Sequence, residues 1–204
     1  MMISVNPDNP QARLIDQVVR CLEKDGVVAY PTDTIYGVGC DIFSKKGIKK
    51  IYQIKQRDPR KPFSFICSDL SEIAQYAQVS NLAFKIMKRH LPGPYTFVLD
   101  ATRIVPDLVT TKQRTVGVRI PDNNIVTEIV RALGHPLVTT SANVSGDETY
   151  QDPTFIQQDW GNMLDMVVDG GLLYGDPSTV ISLCNDKIEV LRQGCGSTDW
   201  IHQL

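Results

Sequence analysis

The chain has 204 residues, 42% hydrophobic and 22% charged, with 21 Lys+Arg against 23 Asp+Glu and a formal net charge of −2. Such totals describe one ordinary globular domain, and they exclude a disordered chain, a collagen-like repeat, a coiled coil and a protein that coats nucleic acid over its whole surface. The longest apolar runs, such as Val27 to Tyr30, are too short to span a bilayer, so no membrane association is expected.

Asn9-Pro10 reads as a helix start, and Leu14, Ile15, Val18, Val19 and Leu22 recur at helical spacing before Gly26 supplies a left-handed stop. Val27 to Tyr30 is a short buried strand, and the small, polar stretch Pro31 to Gly39 is expected to loop over the sheet edge. Ser44 caps a second helix carrying Ile48, Ile51, Tyr52 and Ile54 down to Lys55. Phe63 to Cys67 is strand-like, Ser71 to Tyr76 and Leu82 to His90 are helical, and Pro92-Gly93-Pro94 breaks the chain before a strand over Thr96 to Leu99. Thr115 to Ile120 is a strand, Ile125 to Leu133 a helix stopped by Gly134, and Leu137 to Thr140 a strand running into the loop Ser141 to Gly146. Asp152-Pro153 starts another helix, and Met166 to Val168, Thr179 to Leu183 and Ile188 to Leu191 bring the count to about seven or eight strands. Early strands alternate with helices and the last ones follow closely, which predicts α/β with a mixed sheet in a single domain, core about 10–194.

Five cysteines form an odd, scattered set without a Cys-x-x-Cys pair, and the first residues carry no basic segment followed by an apolar stretch. Reduced, mostly buried thiols in a cytoplasmic protein without a signal peptide are the expectation. The three histidines lie far apart, outside any zinc-ligand spacing, so no protein-bound zinc is expected.

Three features could carry chemistry. Lys55, Arg57, Arg60 and Lys61 place four cations within seven residues, which reads either as a solvated turn at a helix terminus or as an anion site. Thr139-Thr140-Ser141-Ala142-Asn143 follows a strand directly and is either a ligand-holding loop or an ordinary turn. Arg119 and Arg192 sit inside apolar strands, where a charge must be paired or face a groove. There is no Walker-type P-loop, and Cys40 and Cys67 read as small core residues.

Taken in order, Pro31-Thr-Asp-Thr-Ile-Tyr-Gly-Val-Gly39, Lys55-x-Arg57, Pro62, Pro92-Gly-Pro94 with Thr96, Val116-x-Val-Arg119-x-Pro121, Ser141-Ala-Asn143-x-Ser-Gly146, Ser178-Thr-Val180 and Leu191-Arg192-x-Gly194 resemble the YrdC/YciO family over nearly the whole chain. Length and the opening Asn6-Pro-Asp-Asn-Pro-Gln-Ala-Arg13 are similar to its YciO branch. The resemblance implies a YrdC-like domain with a twisted mixed sheet flanked by helices and a basic concave face. It implies a nucleotidyltransferase that makes L-threonylcarbamoyladenylate from L-threonine, bicarbonate and ATP with Mg²⁺, for the threonylcarbamoyladenosine modification of tRNA. Carried over residue by residue, the catalytic tetrad is Lys55, Arg57, Ser141 and Asn143, all present here, although Asp58 stands where the synthases usually have Pro. Lys55, Arg57 and Lys61 would face the phosphates, with Thr115, Ser141, Asn143, Thr149 and Arg192 around the nucleotide. Thr34, Arg119, Thr139 and Ser178 would hold the threonine, and Mg²⁺ would be held largely by phosphates and water. The rival reading is a YciO-type accessory protein that binds tRNA or double-stranded RNA, alongside other tRNA-modification proteins, without synthase activity; a carbamoyl-transfer or hydrolase subunit is a third.

Overall fold

The computed structural model describes residues 1–56, 63–110, 113–144, 146 and 148–203. Among the described residues ten strands form one sheet in the order β1-β8-β2-β3-β7-β4-β6-β5-β9-β10. They are β1 (Met2–Ser4), β2 (Val28–Tyr30), β3 (Gly37–Asp41), β4 (Ser64–Ile66), β5 (Tyr95–Asp100), β6 (Thr115–Arg119), β7 (Leu137–Ser141), β8 (Met166–Asp169), β9 (Thr179–Ser182) and β10 (Glu189–Arg192). Pairing is parallel for β1/β8, β2/β8, β4/β6 and β5/β9, and antiparallel for the other neighbours. The expected mixed α/β sheet is therefore present, in a single domain.

Six α-helices among the described residues cover it: α1 (Ala12–Leu22), α2 (Lys45–Lys55), α3 (Leu70–Tyr76), α4 (Asn81–His90), α5 (Asn124–Leu133) and α6 (Pro153–Trp160). Five of them begin at a side-chain cap that was readable beforehand or follows the same chemistry. Ser44, Asp69, Ser80, Asn123 and Asp152 each accept a hydrogen bond from a backbone N–H of the first turn, filling donors a helix start leaves open. The larger core packs α2, α3, α4 and α6 against Phe65, Phe97, Leu99, Val116, Val118, Val138 and Ile181. A second core packs α1 and α5 on the opposite face, against Val28, Tyr30, Ile66, Leu137, Met166 and Val168. Side chains alternate between faces along a strand, so these two lists come from alternate positions. The second face is covered only toward the β1 end; over β3, β7, β4, β6, β5 and β9 it opens into a cavity.

Five expectations are corrected here. α1 starts at Ala12, two residues after Pro10, because Asn6 Oδ1 accepts from the N–H groups of Asp8 and Asn9 and holds that stretch in a turn. The left-handed residue after α1 is Asp25 (φ 64°), not Gly26. Gly37 to Asp41 is an inner strand rather than a loop over the sheet edge. Its glycines fit because Tyr30 crosses them: a Cβ on Gly39 would lie 2.4 Å from the Val138 carbonyl oxygen and 2.7 Å from the Tyr30 hydroxyl. The strand count rises to ten, since β1 and β3 carry no apolar alternation long enough to read. Of the five free cysteines only Cys40 and Cys67 are buried, Cys21 and Cys184 are partly exposed, and Cys195 is exposed, which corrects the expectation of mostly buried thiols. Among the described residues no helix is long and apolar enough to cross a membrane.

Candidate functional site

The open face is floored by one parity of six strands. Ser64 and Ile66 of β4, Thr115, Gly117 and Arg119 of β6, Thr96 and Val98 of β5, Thr139 and Ser141 of β7, Gly37 of β3 and Val180 of β9 line a cavity of about 440 Å³. The positions between them, Phe65, Val116, Val118, Phe97 and Val138, are core. The floor is consequently rich in hydroxyls and short side chains, with Thr149, Ser178 and Arg192 at its walls. A Cβ on Gly117 would come within 2.7 Å of Ser64 Oγ, so glycine there keeps the floor low.

Two guanidiniums face this space. Arg119 ends β6 and is 8% exposed. Its Nη2 donates to Asp33 Oδ1 (2.5 Å) and to Thr34 Oγ1 (2.8 Å). Thr34 Oγ1 lies 3.1 Å from Thr32 Oγ1, which donates to the Ile35 carbonyl. Arg192 in β10 donates through Nη2 and Nε to the Ser178 carbonyl (2.7 and 3.3 Å) and meets no carboxylate among the described residues. Burial lowers the pKa of both, and in Arg192 the neighbouring Arg119 charge lowers it further. Ser178 Oγ and Thr96 Oγ1 are 2.9 Å apart on the wall between them. Deeper in, the Tyr30 hydroxyl donates to Thr139 Oγ1 at 2.6 Å, and burial raises the pKa of that phenol.

Lys55, expected to face the phosphates, is turned toward the loop after β7. It closes α2 and is 1% exposed. Its Nζ donates to the Ser141 carbonyl (2.5 Å), the Asn143 carbonyl (2.6 Å) and Asn143 Oδ1 (3.1 Å). An ammonium has three donors, and all three of these acceptors lie within their reach. Ser141 Oγ also donates to Asn143 Oδ1 (2.5 Å), so the loop after β7 is built around the Lys55 head group. Ser141 and Asn143 line the cavity while Lys55 stands behind them.

The structure thus brings Thr115, Arg119, Thr139, Ser141, Asn143, Thr149, Ser178 and Arg192 into one cavity lining, with Thr34 one hydrogen bond behind Arg119. Arg57 and Lys61 lie outside the described residues. Sequence reasoning missed Asp33, Ser64, Thr96 and Gly117. A period-two reading of Ser64-Phe65-Ile66 and Thr115-Val116-Gly117-Val118-Arg119 would have grouped the floor, because every second residue is apolar.

A hydroxyl-paved floor faced by two guanidiniums on an open α/β sheet is a cleft whose chemistry suits anions and small polar molecules. The chain belongs to the Sua5/YciO/YrdC family, whose model, described as telomere recombination, matches residues 20–194. Escherichia coli YciO, itself called uncharacterized, is 42% identical over 194 residues, covering 94% of each chain. The crystal structure of E. coli YciO superposes with a TM-score of 0.94, covering 98% of both chains at 40% identity. The threonylcarbamoyl-AMP synthase of Vibrio vulnificus is 33% identical over 184 residues, 88% of this chain and 98% of the relative. The structure of P. abyssi Sua5 complexed with L-threonine matches with a TM-score of 0.94 at 27% identity, covering all of this chain and 60% of that one.

Proposed function

We propose that this protein condenses L-threonine, bicarbonate and ATP into threonylcarbamoyl-AMP and pyrophosphate. The observation that carries the reading is the cavity itself: two guanidiniums, one balanced by Asp33 and one without a carboxylate partner among the described residues, over a floor of hydroxyls. The substrates are all anions or zwitterions, and gathering them needs fixed positive charge and many hydrogen-bond groups rather than a protein nucleophile. Relatives named threonylcarbamoyl-AMP synthase and the threonine complex of P. abyssi Sua5 support the same choice.

In this reading the threonine amine attacks the bicarbonate carbon, a C–N bond forms and water leaves, giving a carbamate. A carbamate oxygen then bonds to the α-phosphorus as the bond to the β-phosphate oxygen breaks, and pyrophosphate departs. Arg119 holds the threonine carboxylate through Nη1, with Thr139 and Ser178 beside it. Arg192, Thr115, Thr149, Ser141 and Asn143 hold the nucleotide, with the basic residues Arg57 and Lys61 assigned to the phosphates. No carboxylate is among the described lining residues, so the cavity fits Mg²⁺ only as an ion carried in on the triphosphate, where it would neutralise phosphate charge. The adenylate would supply the threonylcarbamoyl group for tRNA.

The test is direct. Purified protein is incubated with Mg-ATP, bicarbonate and labelled threonine, and the mixture is analysed for pyrophosphate and a labelled adenylate. Formation of both, dependent on all three substrates, is expected. If neither forms while the protein binds tRNA or double-stranded RNA with steep salt dependence, the enzyme reading falls to the RNA-binding one.

A further inference from the structure

We propose that Asp33 is a positioning residue for threonine, acting through Arg119; the inference rests on the synthase reading above. Asp33 engages the guanidinium by one oxygen only. Its Oδ1 meets Arg119 Nη2, while Asp33 Oδ2 and Arg119 Nε are both buried without a partner. A bidentate pair would have used Nε and Oδ2 as the second arm. The arm in use is crowded instead: Nη2 serves Asp33 and Thr34 together, and Thr34 is in turn held by Thr32. Nη1 meets no protein acceptor among the described residues, and Arg119 lines the cavity. The arrangement clamps one nitrogen and leaves another for a ligand's oxyanion.

Charge makes the same assignment. Arg119 and Arg192 share one cavity, and two guanidiniums so placed repel each other. The Asp33 carboxylate, 11% exposed against 9% for the Arg119 side chain, cancels one of the two charges. A buried guanidinium without it would be uncompensated, and its side chain would turn toward water or the Ser178 wall. Asp33 therefore determines where Nη1 stands, and it leaves about one net positive charge for a ligand carrying a single carboxylate.

The variant Asp33→Asn keeps the shape and removes the charge. In the synthase assay the KM for threonine should rise about tenfold or more, as for loss of a charged hydrogen bond, while the KM for ATP stays within about twofold. Threonine should also fail to raise the melting temperature of the variant at concentrations that raise it in the wild type. In an Arg119→Lys background, Asp33→Asn should add nothing further to the threonine KM, because the two act as one unit. Asp33→Glu, retaining charge, should recover part of the threonine affinity, and Asp33→Ser is the second neutral variant should Asp33→Asn not fold. A wild-type threonine KM in the neutral variants, or equal losses for threonine and ATP, would overturn the proposal while leaving the synthase reading intact. A wild-type protein that neither makes adenylate nor responds to threonine would overturn both.

Discussion

Replacing Lys55 with methionine tests whether this residue builds the loop after β7 or binds a ligand. Methionine preserves the length and burial of the side chain and deletes the ammonium. Three hydrogen bonds vanish, to the carbonyls of Ser141 and Asn143 and to Asn143 Oδ1. Each bond to a charged donor contributes about 1.5–3 kcal/mol, and a buried carbonyl left unpaired costs about 1–3 kcal/mol. Two of the three acceptors keep another partner, since Ser141 O accepts from Asn143 N–H and Asn143 Oδ1 from Ser141 Oγ. Removing the ammonium also relieves its own desolvation. The net loss should be about 2–4 kcal/mol, measured as a fall in the urea midpoint at unchanged slope. In a chain of this size that is a melting temperature lower by roughly 5–15 °C. If stability stays within about 0.5 kcal/mol of wild type and only ATP affinity drops, Lys55 is a phosphate ligand and the assignment of its role is wrong.

Two further outcomes follow from the packing. Gly39→Ala should destabilise the protein by about 1–3 kcal/mol in chemical denaturation, because the added Cβ meets the Val138 carbonyl oxygen at 2.4 Å and backbone must move; an unchanged midpoint would refute the close fit of β3 beneath Tyr30. Acidification should loosen the carboxyl-terminal turn. His90 stacks on Trp200 with ring centroids 4.3 Å apart, and burial lowers its pKa from the ordinary value of 6.5. The folded state thus binds fewer protons than the unfolded one, so this contribution is complete above about pH 6.5 and is lost as pH falls below it. Tryptophan fluorescence followed from pH 7.5 to 5 should report the change in wild type and not in His90→Phe, at about matched salt.

How much of this was legible depended on how local the signal was. Helix caps at Ser44 and Asp152 and the strand that begins at Thr115 are written in a few neighbouring residues, and they stand where expected. β3 was misread because Gly37 and Gly39 answer to Tyr30 and Val138, which lie in other strands. The contacts of Lys55 were not legible for the same reason: its acceptors are carbonyls at the end of β7 and in the loop after it, far away in the chain. Arg119 and Arg192 stood out as charges within apolar strands, but the partner of Arg119 was settled only by the fold, which sets β6 opposite the loop after β2. Asp33 was part of a recognisable motif and yet carried no sign that it was an ion-pair partner.

The alternation of floor and core along β4, β5, β6 and β7 also bears on how such a protein can change. Within β4, β5 and β6 the cavity-lining residues lie next to chain neighbours such as Phe65, Phe97, Val116 and Val118, which belong to the core beneath the sheet. An exchange of Ser64, Thr96 or Thr115 for another short side chain alters what the cleft recognises without opening a void beneath the sheet. Insertion or deletion of one residue within these strands does the opposite, sending phenylalanine and valine into the cleft and hydroxyls under the helices. Substrate preference in this architecture is free to drift by substitution, while the length of each strand is held fixed.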